Sequence, residues 1–209
     1  FRNAYEGESP AVKIILDKHL PDGAGMGGGS ADASFMLRML NEMFALGINT
    51  EQLEAYATKL GADCPFFITS SPVYATGIGN EFHPITLDLG GLYLVVVKPD
   101  VFVSTKEAYS MVRPEKPAVT LDEKIVRPIT EWRDTISNDF EKGIFALHPE
   151  LEGIKSKLYE LGALYAAMSG SGSALFGLFE APVENVESYF EGCFCEQQKL
   201  PDSHRGASK

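Results

Sequence analysis

Two successive amphipathic helices are predicted near the start of the chain. The first follows a cluster of glycines, and its apolar positions recur three and four residues apart. The second begins near Thr50, the expected N-cap, and ends before Gly61, the expected left-handed C-cap. The apolar stripes are Ala33, Met36, Leu37, Leu40 and Phe44 in the first helix and Leu53, Tyr56, Ala57 and Leu60 in the second.

Short apolar runs predict β-strands on both sides of the middle of the chain. A buried strand is limited to about four to eight residues, and the runs here have that length. Helical spacing of Leu151, Ile154, Leu158 and Leu161 predicts a helix that ends at Gly162. The predicted strands are 11–16, 92–97, 164–168 and 174–179, with a short β pair formed by 66–68 and 73–75.

The connections and the carboxyl-terminal part carry weaker patterns. Ser104 with Glu107 fits a capping box that opens a short helix through Met111. The prolines within 113–128 predict a loop-rich connection. A last amphipathic helix is predicted over 183–190, and a polar, frayed end after Glu196.

Strands and helices mix without strict βαβ alternation, which favours an α+β fold. We expect a boundary near Gly90 and Gly91, which divides the chain into domains of residues 1–90 and 91–209.

Composition and charge exclude several classes of protein. The 209 residues are 44% hydrophobic and 22% charged, which is typical of a globular protein. No apolar run reaches the roughly 18 residues of a membrane span, so no membrane partner is expected. The formal net charge of −11 disfavours a nucleic-acid partner, because duplex binding needs clustered Lys and Arg. Three cysteines are too few for a disulfide scaffold and predict a cytoplasmic protein.

The glycine cluster is the main candidate for chemistry. Five of the eight residues 23–30 are glycine, and the cluster leads directly into the first helix. Glycine lets the backbone approach a ligand, and the first amides of a helix can bind phosphate. Ser30 could donate to a phosphate oxygen or contact Mg²⁺. The alternative is a tight turn with no ligand.

Two common phosphate motifs fit the cluster poorly. Gly23, Gly25 and Gly28 have the spacing of the dinucleotide fingerprint, but that motif needs a strand after its helix. A second helix is predicted there instead, which disfavours an NAD-linked oxidoreductase. The P-loop requires Gly-Lys-Ser or Gly-Lys-Thr, and Gly29-Ser30-Ala31 has no lysine.

Residues 21–33, PDGAGMGGGSADA, resemble the central phosphate loop of the GHMP kinases. Further resemblances follow in the family's order, in the segments LGADCPFF (60–67), ATGIGNEFHPI (75–85), NDFE (138–141) and MSGSGSALF (168–176). The resemblance implies a ribosomal-S5-like first domain, present in part, and a ferredoxin-like second domain. It also implies an active site in the cleft between them.

The resemblance assigns roles to individual residues. It implies that Asp63 contacts the substrate and is the catalytic base for the attacking hydroxyl. Thr105 and Tyr109 match positions that bind the cytidine end of a substrate. Ser30 is the best candidate ligand for Mg²⁺, with Asp32 a more remote one. The residues expected to bind the phosphates of ATP are Lys18, Gly23, Gly25, Gly27, Gly28, Gly29, Ser30, Ser169, Gly170, Ser171 and Gly172.

The implied activity is that of an ATP-dependent kinase that uses Mg²⁺ and phosphorylates a small molecule. The implied substrate is a cytidine diphosphate alcohol of the non-mevalonate isoprenoid pathway. Two alternatives stay open: a GHMP kinase for mevalonate, homoserine or a sugar, and a nucleotide-binding fragment without catalysis. The expected assembly is a monomer or homodimer.

The chain begins with Phe1 and not with Met. Family members carry about a quarter of their length, including a catalytic lysine motif, ahead of the matching point. We therefore do not expect the 209-residue chain to be fully active by itself.

Overall fold

The computed structural model describes residues 11–77, 79–115 and 117–202. Its helices are α1 (Gly28–Met43), α2 (Thr50–Thr58), α3 (Phe66–Thr69), α4 (Thr105–Met111), α5 (Leu121–Ile125), α6 (Trp132–Thr135), α7 (Glu141–Leu147) and α8 (Pro149–Glu160). Its strands are β1 (Val73–Thr76), β2 (Glu81–Pro84), β3 (Tyr93–Lys98), β4 (Tyr165–Met168), β5 (Leu175–Phe179) and β6 (Phe194–Lys199). Two 3₁₀ turns span Ile129–Glu131 and Val186–Tyr189.

The described residues form two compact units. The first contains 11–22 and 27–85, and the second contains 23–26 and 86–202. The boundary near Gly90 and Gly91 stays a prediction. In the described part of the chain, no helix is long and apolar enough to cross a membrane.

In the first unit, α1, α2 and α3 pack around a small apolar core, and β1 pairs with β2 as an antiparallel hairpin. The predicted helices at α1 and α2 are confirmed. Amphipathic spacing succeeds here because each helix buries one stripe against its neighbours. The buried core residues are Leu37, Leu53, Ala57, Cys64 and Ile68.

Both predicted caps of α2 were wrong. The N-cap is Asn49, whose side chain accepts from the Gln52 amide in a reciprocal capping box, and Thr50 is the first helical residue. Asn and Thr are both good N-caps, so their adjacency left a one-residue ambiguity. At the other end the C-cap is Lys59 in right-handed conformation, and Gly61 does not adopt a positive φ.

Two predicted strands of the first unit were also wrong. Residues 11–16 have no strand structure, because none of the strands in the described ranges pairs with them. An extended segment without a ladder leaves its backbone groups unpaired. Residues 66–68 lie in helix α3, whose N-cap is Pro65, and β1 pairs with β2 instead. Proline fixes a φ that suits the start of a helix.

The second unit is built on a four-stranded antiparallel sheet with strand order β4-β5-β3-β6. Strand β3 lies between β5 and β6, and the strand predicted over 92–97 is confirmed. Val95 and Val97 are fully buried in the main core, whereas Leu94 packs into a second cluster around Trp132. The sheet is therefore covered on both faces, and α8 packs against β4 and β5. Helices with an antiparallel sheet confirm the α+β class.

The carboxyl-terminal prediction was wrong in two respects. The helix expected over 183–190 is only the 3₁₀ turn Val186–Tyr189. Residues 197–199, expected to fray, lie in strand β6, which pairs with β3. The part of that prediction that falls on 203–209 lies outside the described residues. A polar edge strand has little pattern of its own, and its partner lies about 100 residues earlier in the sequence.

The start of α4 and the connection that follows it differ from the prediction. Ser104 is the N-cap of α4, but its side chain makes no capping bond, so the capping box with Glu107 is absent. The connection 113–128 contains the short helix α5, which a Thr120 and Glu123 capping box opens.

We predict that Leu151→Ala lowers the free energy of unfolding by about 2–5 kcal/mol, because it leaves a cavity in the main core. Leu151 is fully buried, whereas Leu147, on the preceding helix α7, is 51% exposed. Leu147→Ala is the matched control and should change stability by less than about 1 kcal/mol. Urea denaturation of both variants measures the difference. Equal losses would contradict the assigned core.

Candidate functional site

The first half of the glycine cluster adopts backbone conformations that favour glycine. Gly23, Gly25 and Gly27 have φ angles of 62°, 75° and 67°. Side-chain-bearing residues pay a steric cost at such angles. The segment therefore turns at every second residue before α1 begins.

Gly25 also makes a backbone contact that no other residue could make. A Cβ at Gly25 would lie 2.1 Å from the carbonyl oxygen of Ser169. The Ser169 hydroxyl donates to the Gly25 carbonyl at 3.0 Å, and the Ala174 amide donates to the Ala24 carbonyl at 3.0 Å. Residues 23–26 thus pack directly on the loop of residues 169–173, here named the Gly–Ser loop.

The second half of the cluster forms the amino-terminal end of α1. Gly27 is the N-cap in left-handed conformation, and the end has no side-chain cap. The first amide to bond back into the helix is that of Ala31, which donates to the Gly27 carbonyl at 2.9 Å. The amides of residues 28–30 precede it and have no partner within the helix. A Cβ at Gly28 or Gly29 would meet no atom within 4 Å, so the space beside these amides is open.

Lys18 lies beside α1 as part of a charged cluster. Its ammonium group bonds to the Asp22 carboxylate and pairs with Asp32 at 3.2 Å. The hydrogen bond to Asp22, and then the one to Asp32, raise the pKa of Lys18 above its ordinary value. Asp32 is therefore already paired with a cation, and the role of Ser30 as a Mg²⁺ ligand stays a prediction.

Asp63 lies in an exposed turn that is fixed by hydrogen bonds to its buried neighbour Cys64. The Cys64 amide donates to the Gly61 carbonyl at 3.2 Å, which places Ala62 and Asp63 at the centre of a β-turn. The Ser34 hydroxyl, on α1, donates to the Cys64 carbonyl at 2.7 Å, and both residues are buried. The turn that carries Asp63 is thus attached to the helix that the glycine cluster opens.

The Gly–Ser loop has further contacts within the second unit. Ser173 is buried, and its hydroxyl donates to the Val101 carbonyl at 2.5 Å. The hydroxyls of Ser171 and Thr105 lie 3.5 Å apart. Gly170 and Gly172 have positive φ angles, which lets the loop fold back between β4 and β5.

Tyr109 presents an exposed aromatic surface on α4. The residue is 67% exposed, and its ring packs edge-to-face with the ring of Phe140, with the centroids 5.0 Å apart. A cavity of about 1040 Å³ lies at the carboxyl-terminal end of this helix, with Met111, Asn138 and Lys142 among its lining residues. An exposed ring fixed by a second ring can stack on a planar ligand.

Within the described residues, no group of three or more His, Cys, Asp or Glu side chains could hold a metal ion. A divalent cation would therefore depend on donors such as hydroxyls and the oxygens of a bound phosphate.

Comparison with known proteins gives the family. The family model described as GHMP kinases N terminal domain matches residues 1–71, and that described as GHMP kinases C terminal matches residues 125–196. A protein of Bacteroides fragilis named 4-diphosphocytidyl-2-C-methyl-D-erythritol kinase is 54% identical over 195 residues, which cover 93% of this chain and 71% of that protein. The chain belongs to the GHMP kinase family.

Two further proteins agree with this membership. A Parabacteroides distasonis protein of the same name is 55% identical over 194 residues, which cover 92% of this chain and 72% of that protein. A crystal structure named 4-(cytidine 5'-diphospho)-2C-methyl-D-erythritol kinase matches with a TM-score of 0.72 and 32% identity. The match covers 87% of this chain and 68% of that one. As a GHMP kinase, the protein uses ATP as a substrate.

The predicted site residues fall in both units. Lys18, Gly27–Ser30 and Asp63 lie in the first unit, and Gly23, Gly25, Thr105, Tyr109 and 169–172 lie in the second. The second unit brings Gly25 against Ser169, and Thr105 near Ser171. The ligands of these residues stay predictions.

Two supporting contacts were missed in the sequence. The bond from the Ser34 hydroxyl to the Cys64 carbonyl was not predicted from the sequence, and the segment 138–141 was identified there only by its resemblance to the family. A signal for Ser34 existed, because a small polar residue three positions before the core residue Leu37 lies on the apolar stripe of α1.

We predict that Gly25→Ala lowers the free energy of unfolding by more than about 2 kcal/mol, because the methyl group adds left-handed strain to a backbone clash with Ser169. Gly28→Ala is the control: its methyl group meets open space in a helix, so stability should hold or rise by up to about 1 kcal/mol. Urea denaturation compares the two. A Gly25→Ala protein as stable as the wild type would disprove the close contact.

Proposed function

We propose that this protein transfers the γ-phosphoryl group of ATP to the 2-hydroxyl of 4-diphosphocytidyl-2-C-methyl-D-erythritol. The names of relatives at 54% and 55% identity support this acceptor. The single observation that carries the phosphoryl-transfer chemistry is the uncapped, open start of α1 after a loop of glycines.

The amides of Gly28, Gly29 and Ser30 are suited to bind the ATP phosphates. They point out of the helix start, where the partial positive charge of the helix dipole is greatest. The absence of side chains at Gly28 and Gly29 lets phosphate oxygens reach the amides. No acidic residue occupies the first turn of α1, so nothing there repels an anion.

Asp63 is the proposed general base. Its carboxylate accepts the proton of the acceptor hydroxyl as that oxygen bonds to the γ-phosphorus, and the bond from phosphorus to the β–γ bridging oxygen breaks to release ADP. Phosphoryl transfer depends mostly on positioning and charge stabilisation, so one aimed carboxylate suffices. The turn from Gly61 to Cys64, bonded to Ser34, supports this aim.

We propose that Mg²⁺ enters with ATP and that Ser30 is its ligand from the protein. Mg²⁺ neutralises phosphate charge and usually keeps several waters, so a single hydroxyl from the chain is compatible with its chemistry. Ser30 is the third residue of α1, and its own amide is one of the proposed phosphate ligands.

For the acceptor, we propose that Tyr109 stacks on the cytosine and that Thr105 bonds to the cytidine end. The 67% exposure of Tyr109 and the packing of its ring against Phe140 favour this role. Base stacking on an aromatic ring contributes about 1–3 kcal/mol in nucleic-acid binding proteins.

The function is tested with the full-length gene product in a coupled ADP-release assay. Turnover is expected with the cytidyl substrate, and not with mevalonate, homoserine or a sugar. Turnover of one of these alone would overturn the proposed acceptor, whereas ATP binding without turnover of any would favour a nucleotide-binding protein.

We predict that Asp63→Asn lowers kcat by about 10²–10⁴-fold, because the amide cannot accept the hydroxyl proton. The dissociation constant of ATP should change by less than about threefold, since no phosphate contact is assigned to Asp63. Stopped-flow turnover and nucleotide titration measure the two effects separately. Unchanged turnover in the variant would rule out Asp63 as the base.

We predict that Gly28→Ala, with its stability intact, weakens ATP binding by about tenfold or more. The methyl group occupies the space through which phosphate would reach the amides, and tenfold corresponds to about 1.4 kcal/mol. Isothermal titration with a non-hydrolysable ATP analogue measures the loss. Ala31→Gly, three residues later in α1, is the control and should leave the affinity for the ATP analogue within about twofold. An unchanged affinity in Gly28→Ala would show that the ATP phosphates do not bind at this helix end.

A further inference from the structure

The segment 138–141 holds the Gly–Ser loop through side chains. The Asn138 Nδ2 donates to the Met168 carbonyl at 2.8 Å and to the Gly170 carbonyl at 2.7 Å. The Glu141 Oε1 accepts from the Met168 amide at 2.8 Å. Met168 therefore has both backbone polar groups bonded to one four-residue segment that lies about 30 residues earlier.

Only a carboxamide satisfies the bonds that Asn138 makes. Its two targets are carbonyl oxygens, which accept only, and its NH₂ group supplies one hydrogen to each. Its oxygen accepts from the Phe140 amide at 2.9 Å, which fixes the orientation of the group. An aspartate at this position would keep the bond from Phe140 but turn a carboxylate toward two carbonyls.

Glu141 gives the second point of attachment and is itself neutralised. The residue is buried, and its Oε2 accepts from the Lys155 ammonium group at 2.6 Å. A buried carboxylate persists when it is paired and its remaining oxygen is hydrogen-bonded. Both conditions hold here, with α8 supplying the lysine and β4 supplying the amide.

The loop that these bonds hold is the one that contacts Gly25. Ser169 lies between the two carbonyls that Asn138 binds, and its hydroxyl donates to the Gly25 carbonyl at 3.0 Å. A Cβ at Gly25 would lie 2.1 Å from the Ser169 oxygen and 3.0 Å from the Gly172 oxygen. A shift of the loop by a fraction of an ångström would therefore move or release residues 23–26.

We propose that Asn138, supported by Glu141, is a positioning residue for nucleotide binding. It fixes the position of the Gly–Ser loop, on which residues 23–26 pack. Residues 23–26 lead along the chain directly into the helix start that is proposed to bind the phosphates. This inference rests on the proposed function and adds to it a residue that acts without touching ATP.

The test is Asn138→Asp in the full-length gene product. The expected result is a rise of about tenfold in the KM for ATP, because two hydrogen bonds to the loop are replaced by repulsion. The KM for the cytidyl substrate should stay within about twofold, and the variant should remain folded by circular dichroism.

Asn41→Asp is the matched control. The Asn41 carboxamide also makes a two-ended bond, donating to the Ile48 carbonyl at 2.8 Å and accepting from its amide at 3.0 Å. This substitution should cost stability without changing the KM for ATP. An equal rise in both variants would mean that Asn138 has only a structural role.

A double-variant cycle with Ser169→Ala tests the route of the effect. If Asn138 acts through the Gly–Ser loop, the double variant should raise the KM for ATP by clearly less than the product of the single effects. A KM for ATP that rises in the double variant by the full product of the two single effects would overturn the proposal. Asn138→Ala, which introduces no carboxylate, replaces Asn138→Asp in the same assays if the latter does not fold.

Failure of the inference and failure of the proposed function are distinguishable. An unchanged KM for ATP in a folded Asn138→Asp protein, beside an active wild type, overturns the positioning role alone. A wild-type protein that neither binds ATP nor turns over the cytidyl substrate overturns the proposed function, and the positioning role with it.

Discussion

The close approach of Gly25 to the Ser169 carbonyl is the contact on which the conformation of residues 23–26 depends. It joins segments 144 residues apart, and it exists only because no Cβ stands between the two backbones. Hydrogen bonds from Ser169 and Ala174 then fix the position of the glycine segment along the loop. A backbone so constrained loses little further entropy when a ligand orders it, which is the advantage of a preorganised site.

The glycines of the cluster serve two different physical needs. Gly23, Gly25 and Gly27 have positive φ angles, so the fold itself accounts for them. Gly28 and Gly29 lie in a helix with open space beside them, and there the fold would accept alanine. Each glycine in a helix costs about 1 kcal/mol relative to alanine. A stability cost that the packing does not require is best explained by a ligand that approaches the backbone.

The sequence allowed prediction of elements whose pattern is local and not of those that depend on distant partners. The stripe of α1 and the apolar run of β3 carry their own periodicity. Strand β6 is polar, and the pairing that defines it lies with β3. The same division holds for the site. Both glycine-rich loops can be recognised from the clustered small residues in the sequence. The bonds from Asn138, in contrast, connect residues that only the tertiary fold brings together.

Helix α1 relates the proposed phosphate amides to the proposed base. Its first residues carry the open amides, and Ser34, four to six residues later, bonds to the turn that presents Asp63. At 1.5 Å per residue, these attachments lie roughly 6–9 Å apart along the axis. A helix holds such a spacing more precisely than a loop could, because its backbone bonds resist extension. Since phosphoryl transfer relies on positioning, a rigid spacer between nucleotide and base is what the chemistry requires.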